Sequence, residues 1–154
     1  MSVGEGVQLW NEFIAPLQNQ GYRYLVSPST TSAPNGLDWV KAFLASPLQV
    51  QPNIIAIHWY DVKLEDFKAY AEKYHSETGY KEIWITEFAC QNFNGGPQCD
   101  DGYIWEFIKG AVLWMDNTDW IGAYAPFGAL DLACFTPIFI LLSCAQALCV
   151  KCKA

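Results

Sequence analysis

Apolar residues recur at helical spacing in four segments of the chain. In each segment they fall three or four positions apart, which places them on one face of a helix. Glycine follows two of these segments, at Gly21 and Gly79, where a helix often ends. The pattern predicts four helices, whose apolar stripes cover residues 7–17, 40–44, 64–74 and 104–115.

Strand-like segments alternate with these helices. Two of them are continuous apolar runs of strand length, as expected for parallel strands that are covered on both faces. The predicted strands are residues 24–27, ended by Pro28, and residues 54–60, 83–88 and 120–127. Strand and helix therefore alternate four times, which predicts an α/β fold with a parallel sheet and helical crossovers.

Polar residues mark the ends of the first three predicted strands. Ser27, His58 and Glu87 are separated by 31 and 29 residues, a regular βα spacing. In a (β/α)8 TIM barrel, the carboxyl ends of the strands converge on the active site. A doubly wound sheet would have a glycine-rich phosphate loop after an early strand, and the sequence has none. We therefore predict a partial TIM barrel, roughly strands 5–8 with their helices, because a complete barrel needs about 250 residues.

Charge and composition limit the classes of molecule that the chain is expected to bind. The net charge of −7 argues against nucleic acid and against anionic membrane surfaces. Aromatic residues make up 16% of the chain. Such side chains fill cores, but they also line sugar-binding clefts, because a pyranose ring presents apolar C–H faces. The composition is therefore compatible with a neutral polysaccharide as the partner.

Cys90 and Cys99 flank an eight-residue insert that is rich in Asn, Gly and Pro. Such a pair predicts a disulfide that closes a loop, and hence an oxidising compartment, although two free thiols remain the alternative. The N-terminal residues contain no basic region followed by an apolar stretch, so no secretory signal is predicted. The cysteine pair and the lack of a signal thus predict different cellular compartments.

Six segments together resemble a known family. They are WNEFIAPL (10–17), SPS (27–29), LDWVKAF (37–43), IAIHWY (55–60), IWITEFAC (83–90) and YAPFG (124–128). In this order and spacing they resemble the C-terminal half of the fungal alkali-sensitive-linkage-type glycosyl hydrolase catalytic core. This is glycoside hydrolase family 128, whose members are retaining β-1,3-glucanases on a TIM barrel. The resemblance covers residues 5–129, and we expect a partial catalytic domain over residues 1–130.

The resemblance implies that Glu87, in the seventh barrel strand, is the catalytic nucleophile. It also implies that an acid/base glutamate belongs to an Asn-Glu-Pro motif at the end of the fourth strand, which would lie before residue 1. Asn11-Glu12 does not fit that motif, because Phe13 follows and Glu12 lies away from the apolar stripe of its helix. Retaining hydrolysis needs two carboxyl groups about 5–5.5 Å apart. We therefore expect little or no hydrolysis by the 154 residues alone.

Several residues near the strand ends are expected to support Glu87 or bind sugar. His58, Tyr60 and Thr86 are candidate hydrogen-bond donors to the nucleophile, with a buried structural histidine as the alternative for His58. Trp59 and Tyr60 are candidates for contact with glucosyl units, but neighbouring strand residues point in opposite directions, so one of them is expected to pack in the barrel. The predicted substrate-binding residues are Ser27, His58, Trp59, Tyr60 and Phe127.

No metal site or cofactor is predicted. The two histidines, His58 and His75, are far apart in sequence, and Cys149 and Cys152 form a single CxxC without a second half. A Ser-His-Asp triad is disfavoured because the sequence lacks a nucleophile elbow.

The last segment of the chain, residues 131–154, is an apolar tail rich in cysteine. Residues 132–150 carry no charge, and Lys151 and Lys153 follow them. One interpretation is a membrane span with a cytoplasmic C-terminus. The other is an altered C-terminus that replaces the amphipathic helix expected at the end of the domain.

These observations lead to one main functional expectation and one alternative. The main expectation is a glycoside hydrolase of fungal cell-wall β-1,3-glucan, located outside the cell or in the cell wall as the resemblance implies. The alternative is a catalytically incomplete product that binds glucan or attaches to a membrane through residues 132–150.

Overall fold

The computed structural model describes residues 1–127 of the chain. Predictions for the tail of residues 131–154, including the membrane span of residues 132–150, lie outside the described residues. The helices are α1 (Val3–Leu9), α2 (Gly36–Leu44), α3 (Leu64–Thr78) and α4 (Asp101–Asp116), and the strands are β1 (Ile55–Asp61), β2 (Ile83–Cys90) and β3 (Ile121–Pro126).

The three strands form one parallel sheet in the order β1-β2-β3. Helices α3 and α4 connect successive strands, which is the crossover that parallel strands require. The predicted α/β class with a parallel sheet is therefore confirmed for residues 1–127.

The N-terminal helical segment changes type along its length. Helix α1 begins with a capping box in which Ser2 and Glu5 satisfy each other's backbone amides. It continues as a π-helix (Trp10–Ile14) and a 3-10 helix (Ala15–Gln20), where Pro16 in the first turn cannot supply an amide hydrogen bond. The segment ends at Gly21, whose φ of 88° is the left-handed conformation that glycine adopts readily.

The prediction of a strand at residues 24–27 is wrong. This segment forms only one parallel bridge, between Val26 and Ile54. Pro28 has no amide hydrogen with which to continue the ladder. The hydroxyl of Ser27 also accepts a hydrogen bond from the Ala56 amide at 3.0 Å. This amide of β1 is therefore bonded to a side chain and not to a backbone carbonyl of residues 24–27.

The larger hydrophobic cluster lies between the sheet and helices α3 and α4, and a smaller one packs the N-terminal helical segment against α2. Phe67 of α3 stacks on Phe88 of β2 with ring centroids 5.6 Å apart, and both side chains are fully buried. Several side chains of the opposite face of the sheet are only half-buried in the part of the chain described. That face, called the open face below, carries His58 and Tyr60 of β1 and Trp84, Thr86 and Glu87 of β2.

Candidate active site

A β-bulge directs Glu87 to the open face. Ile57 pairs with Ile85, but the next residue of β1, His58, pairs with Glu87, so Thr86 is an extra residue in β2. Strict alternation would place Glu87 on the same face as Ile85, against the helices. With the bulge, Thr86 and Glu87 are half-buried and Phe88 returns to the core.

Two side chains of β1 converge on the Glu87 carboxylate. The Tyr60 hydroxyl donates to Glu87 Oε2 at 2.5 Å. His58 Nδ1 lies 3.4 Å from the same oxygen. His58 and Tyr60 are two positions apart on one strand, so they share a face of the sheet. The side chain of Glu87 keeps 35% of its surface exposed, which leaves the carboxylate accessible to a ligand.

The charges of this cluster follow from its surroundings. Burial lowers the pKa of His58 below its ordinary value, against the opposing effect of the nearby Glu87 charge. At neutral pH the imidazole is therefore neutral. Burial, and then the hydrogen bond to Glu87, raises the pKa of Tyr60. Tyr60 thus keeps its proton and acts as a fixed hydrogen-bond donor to the carboxylate.

Phe127 lies beside this cluster, as do two residues that the sequence did not single out. The rings of Phe127 and Phe93 contact Tyr60 edge-on, with centroid distances of 5.6 and 5.4 Å. Thr86 Oγ1 lies 3.4 Å from Ser29 Oγ, in the loop after the Val26 bridge. Phe93 could have been noticed from sequence as the one aromatic residue in a polar loop between two cysteines.

Ser27 bonds backbone groups, and Trp59 packs on α3 while it also lines a cleft with Tyr60 and Phe93. Ser27 is buried, and its hydroxyl accepts from the Ala56 amide and donates to the Pro28 carbonyl. Trp59 is 6% exposed and packs against Phe67 and Tyr70 of α3. The expectation that one of Trp59 and Tyr60 packs in the core therefore applies to Trp59, while Tyr60 faces the site.

Cys90 and Cys99 are joined by a disulfide, with their Cα atoms 6.1 Å apart. The enclosed loop of residues 91–98 is also held by side-chain hydrogen bonds. Gln98 bonds the backbone of Asn92 through both its oxygen and its nitrogen, and Asn92 accepts the Asn94 amide. The loop that carries Phe93 is therefore braced at its base and inside.

Residues 1–127 contain neither a candidate metal cluster nor an apolar helix of membrane-spanning length. No group of three His, Cys, Asp or Glu side chains in this region could hold a metal ion. None of its helices has the length and apolarity needed to cross a membrane.

Comparison with known proteins identifies the family. The family described as "Glycosyl hydrolase catalytic core" matches residues 1–137. Alkali-sensitive linkage protein 1 of Schizosaccharomyces pombe is 33% identical over 120 residues, which are 75% of this chain and 21% of that protein.

Solved structures agree with this match. An exo-β-1,3-glucanase of family 128, subgroup V, from Cryptococcus neoformans is 32% identical, with a TM-score of 0.74 over 84% of this chain and 50% of that one. A subgroup VII oligosaccharide-binding protein from the same organism is 29% identical, with a TM-score of 0.71 over 81% and 49%. The chain thus spans about half the length of these solved relatives. It belongs to the glycosyl hydrolase catalytic core of glycoside hydrolase family 128.

Proposed function

We propose that the chain is the later half of the catalytic barrel of a retaining β-1,3-glucanase, with Glu87 as the nucleophile. One observation carries the proposal. Glu87 lies in the carboxyl-terminal half of β2, where a bulge turns it to the open face and Tyr60 donates to its carboxylate. Barrel enzymes gather their reactive groups at this end of the strands.

Each residue of the cluster has a part in the proposed reaction. The Glu87 carboxylate attacks the anomeric carbon and forms a glycosyl ester while the glycosidic C–O bond breaks. Tyr60 fixes the attacking oxygen by its hydrogen bond. The neutral His58, 3.4 Å from that oxygen, limits the rotation of the carboxylate and remains available to sugar hydroxyls.

A second carboxyl group must protonate the leaving oxygen and later activate water. The family resemblance places that group in an Asn-Glu-Pro motif, and the 154 residues contain no such motif. We therefore expect hydrolysis of β-1,3-glucan only when a partner segment supplies the acid. The half-length match to the solved relatives supports a partial barrel.

The nucleophile can be tested without the missing acid. Fluoride leaves an anomeric carbon without protonation, and fluorine at C2 slows the subsequent hydrolysis by destabilising the oxocarbenium-like transition state. Incubation with 2-deoxy-2-fluoro-laminaribiosyl fluoride should therefore leave one disaccharide unit on the protein. Intact mass spectrometry followed by peptide mapping should locate the label on Glu87.

Two variants make the labelling test specific. Glu87→Gln should abolish the label, since the amide is a poor nucleophile. Glu106→Gln, at an exposed position of α4, should retain it. A folded wild-type protein that binds laminari-oligosaccharides but takes no label would support the alternative function instead. That alternative is a non-catalytic glucan-binding protein, which the oligosaccharide-binding relative in this family favours.

We also propose that the protein functions outside the cell or in the cell wall, because the Cys90–Cys99 disulfide persists best in an oxidising compartment. Fractionation with a sodium carbonate wash provides the test. Recovery in the secreted or wall fraction is the expected result. Carbonate-resistant association with membranes would support attachment through residues 132–150.

A further inference from the structure

Phe93 is an exposed aromatic residue on a braced loop. Its side chain is 71% exposed, although burial of such a ring is normally favourable. The loop that carries this ring is held in place. The Cys90–Cys99 disulfide closes the loop, and hydrogen bonds between Asn92 and Gln98 connect its two sides. Gly95 has a φ of 79°, the left-handed conformation that lets the chain turn within this loop. The fold therefore stabilises an arrangement that presents Phe93 to solvent.

The ring of Phe93 is close to the candidate nucleophile. It meets the Tyr60 ring edge-on at 5.4 Å, and the hydroxyl of Tyr60 donates to Glu87. Phe127, which is 61% exposed, contacts the same Tyr60 ring at 5.6 Å. One aromatic residue thus separates each exposed ring from the carboxylate, and the three rings form a continuous apolar surface beside the site.

A cleft of about 610 Å³ adjoins this surface. Its volume falls within the range of about 300–1,000 Å³ that ligand sites usually have. The cleft is lined by residues 31–34, by Trp59, Tyr60 and Asp61 of β1, and by Phe93, Asn94 and Phe127. Aromatic faces combined with hydroxyl, amide and carboxylate groups match a pyranose, which has apolar C–H faces and a polar edge of hydroxyls.

We propose that Phe93, together with the cleft between residues 91–98 and residues 31–34, forms a glucosyl-binding subsite next to the cleavage point. This inference rests on the proposed function, because its ligand is the same β-1,3-glucan chain. Phe93 stacks on a glucosyl unit and Asn94 and Ser32 meet its hydroxyls. The disulfide acts as a positioning element that holds Phe93 in the cleft wall before the sugar arrives, which reduces the entropy lost on binding.

The test is the affinity of the full chain for laminaritriose, measured by isothermal titration calorimetry. Phe93→Ala should weaken binding by about fivefold to tenfold, the size expected for loss of one aromatic contact. Phe93→Tyr should bind as the wild type does, since it keeps the ring. The matched control is Phe13→Ala, which removes a 58% exposed ring from the N-terminal helical segment and should leave affinity unchanged.

The possible outcomes distinguish failure of the subsite from failure of the proposed function. If the wild type binds laminaritriose and Phe93→Ala binds equally well, the subsite is overturned while the proposed function stands. Equal weakening by Phe13→Ala also overturns it, because the effect would then not be local. If the wild type neither binds laminaritriose nor takes the fluoride label on Glu87, the proposed function fails, and the subsite fails with it.

Discussion

At the scale of the residue, the site depends on one irregular position in β2. Thr86 is the extra residue that turns the following carboxylate towards His58 and Tyr60. A bulge of this kind is a common way to redirect a side chain next to an active site. Tyr60 then donates a hydrogen bond to the carboxylate, and Nδ1 of the half-buried His58 lies 3.4 Å from the same oxygen.

The lowered pKa of His58 predicts an acid-dependent loss of stability. Burial disfavours the charged imidazole in the folded protein, so the unfolded chain binds the proton more readily. Between the ordinary histidine pKa of about 6.5 and the lower folded value, the unfolded state holds more protons, and the free energy of unfolding falls as pH falls. Urea unfolding at pH 7 and pH 5.5 should therefore show a lower midpoint at the acidic pH.

The variant His58→Gln should reduce that difference between the two pH values, because it removes the titrating group. His75→Gln is the matched control, since it removes an imidazole that lies on α3 and stacks on Trp120. A pH difference in His58→Gln as large as in the wild type would contradict the assignment of the effect to His58. The opposing charge in this experiment is Glu87, which favours the protonated imidazole.

The residues of the site were only partly predictable from sequence. Glu87, His58 and Tyr60 could be placed together because each follows an apolar strand-length run, and parallel strands end at one edge of a sheet. The bulge at Thr86 leaves no signal in IWITEFAC, since it depends on the pairing with β1. Phe93 was missed because its contact with Tyr60 is tertiary and comes from a loop without periodicity.

At the scale of the element, long periodic segments were predictable and short ones were not. Helix α3 and strands β1–β3 follow the predicted apolar runs closely. The apolar residues that give these segments their periodicity are the ones that the fold buries. The segment around Val26 has strand-like residues, yet it makes one bridge only. The hydroxyl of Ser27 competes for the amide of Ala56, a contact that no local pattern reveals.

The start of helix α2 is packed so closely that it predicts the effect of a substitution. A Cβ atom on Gly36 would stand 2.6 Å from the Thr31 carbonyl and 2.7 Å from Thr30 Oγ1. Gly36→Ala should therefore displace the loop that lines the cleft and destabilise the protein by about 1–3 kcal/mol. Chemical denaturation measures the loss, and laminaritriose affinity should fall in the same variant.

Gly4→Ala is the matched control for this substitution. Gly4 also lies in the first turn of a helix, α1, but nothing stands within 4 Å of its added Cβ. Alanine there should stabilise the protein by about 0.5 kcal/mol, because glycine has the larger conformational entropy to lose. Equal effects of the two substitutions would show that the close contact at Gly36 is not maintained in solution.

The Cys90–Cys99 disulfide should stabilise the protein as well as hold Phe93. Its sequence separation of 9 closes a short loop. The entropy of such a loop in the unfolded chain predicts a contribution of about 2.5 kcal/mol. The double variant Cys90→Ala/Cys99→Ala should lose that amount in urea unfolding and should bind laminaritriose more weakly. A double variant with the wild-type midpoint would contradict this prediction.

At the scale of the whole molecule, the described residues cover one face of a parallel sheet and leave the other half-buried. Helices α3 and α4 pack on the first face, and the second face carries the Glu87 cluster. In a closed barrel this second face is the interior, filled by side chains from the remaining strands. The match to about half of each solved relative supports the same interpretation.

A complementing half barrel should therefore restore hydrolysis. The chain would be co-expressed with the N-terminal half of the exo-β-1,3-glucanase from Cryptococcus neoformans, its 32% identical relative. The added strands supply the interior side chains that the open face lacks, and the family resemblance places the acid/base glutamate among them. We expect release of reducing sugar from laminarin by the pair and little or none by either half.

Two variants decide whether this activity comes from the proposed pair of carboxylates. Glu87→Gln in the complemented pair should reduce hydrolysis by at least about 10³-fold, since residues that act as a unit in covalent catalysis are individually indispensable. Glu106→Gln, exposed on α4, should leave the rate unchanged. Robust turnover by the 154 residues alone would contradict the need for a second half. Activity of the pair that survives Glu87→Gln would contradict the nucleophile assignment while leaving the assembly of the two halves intact.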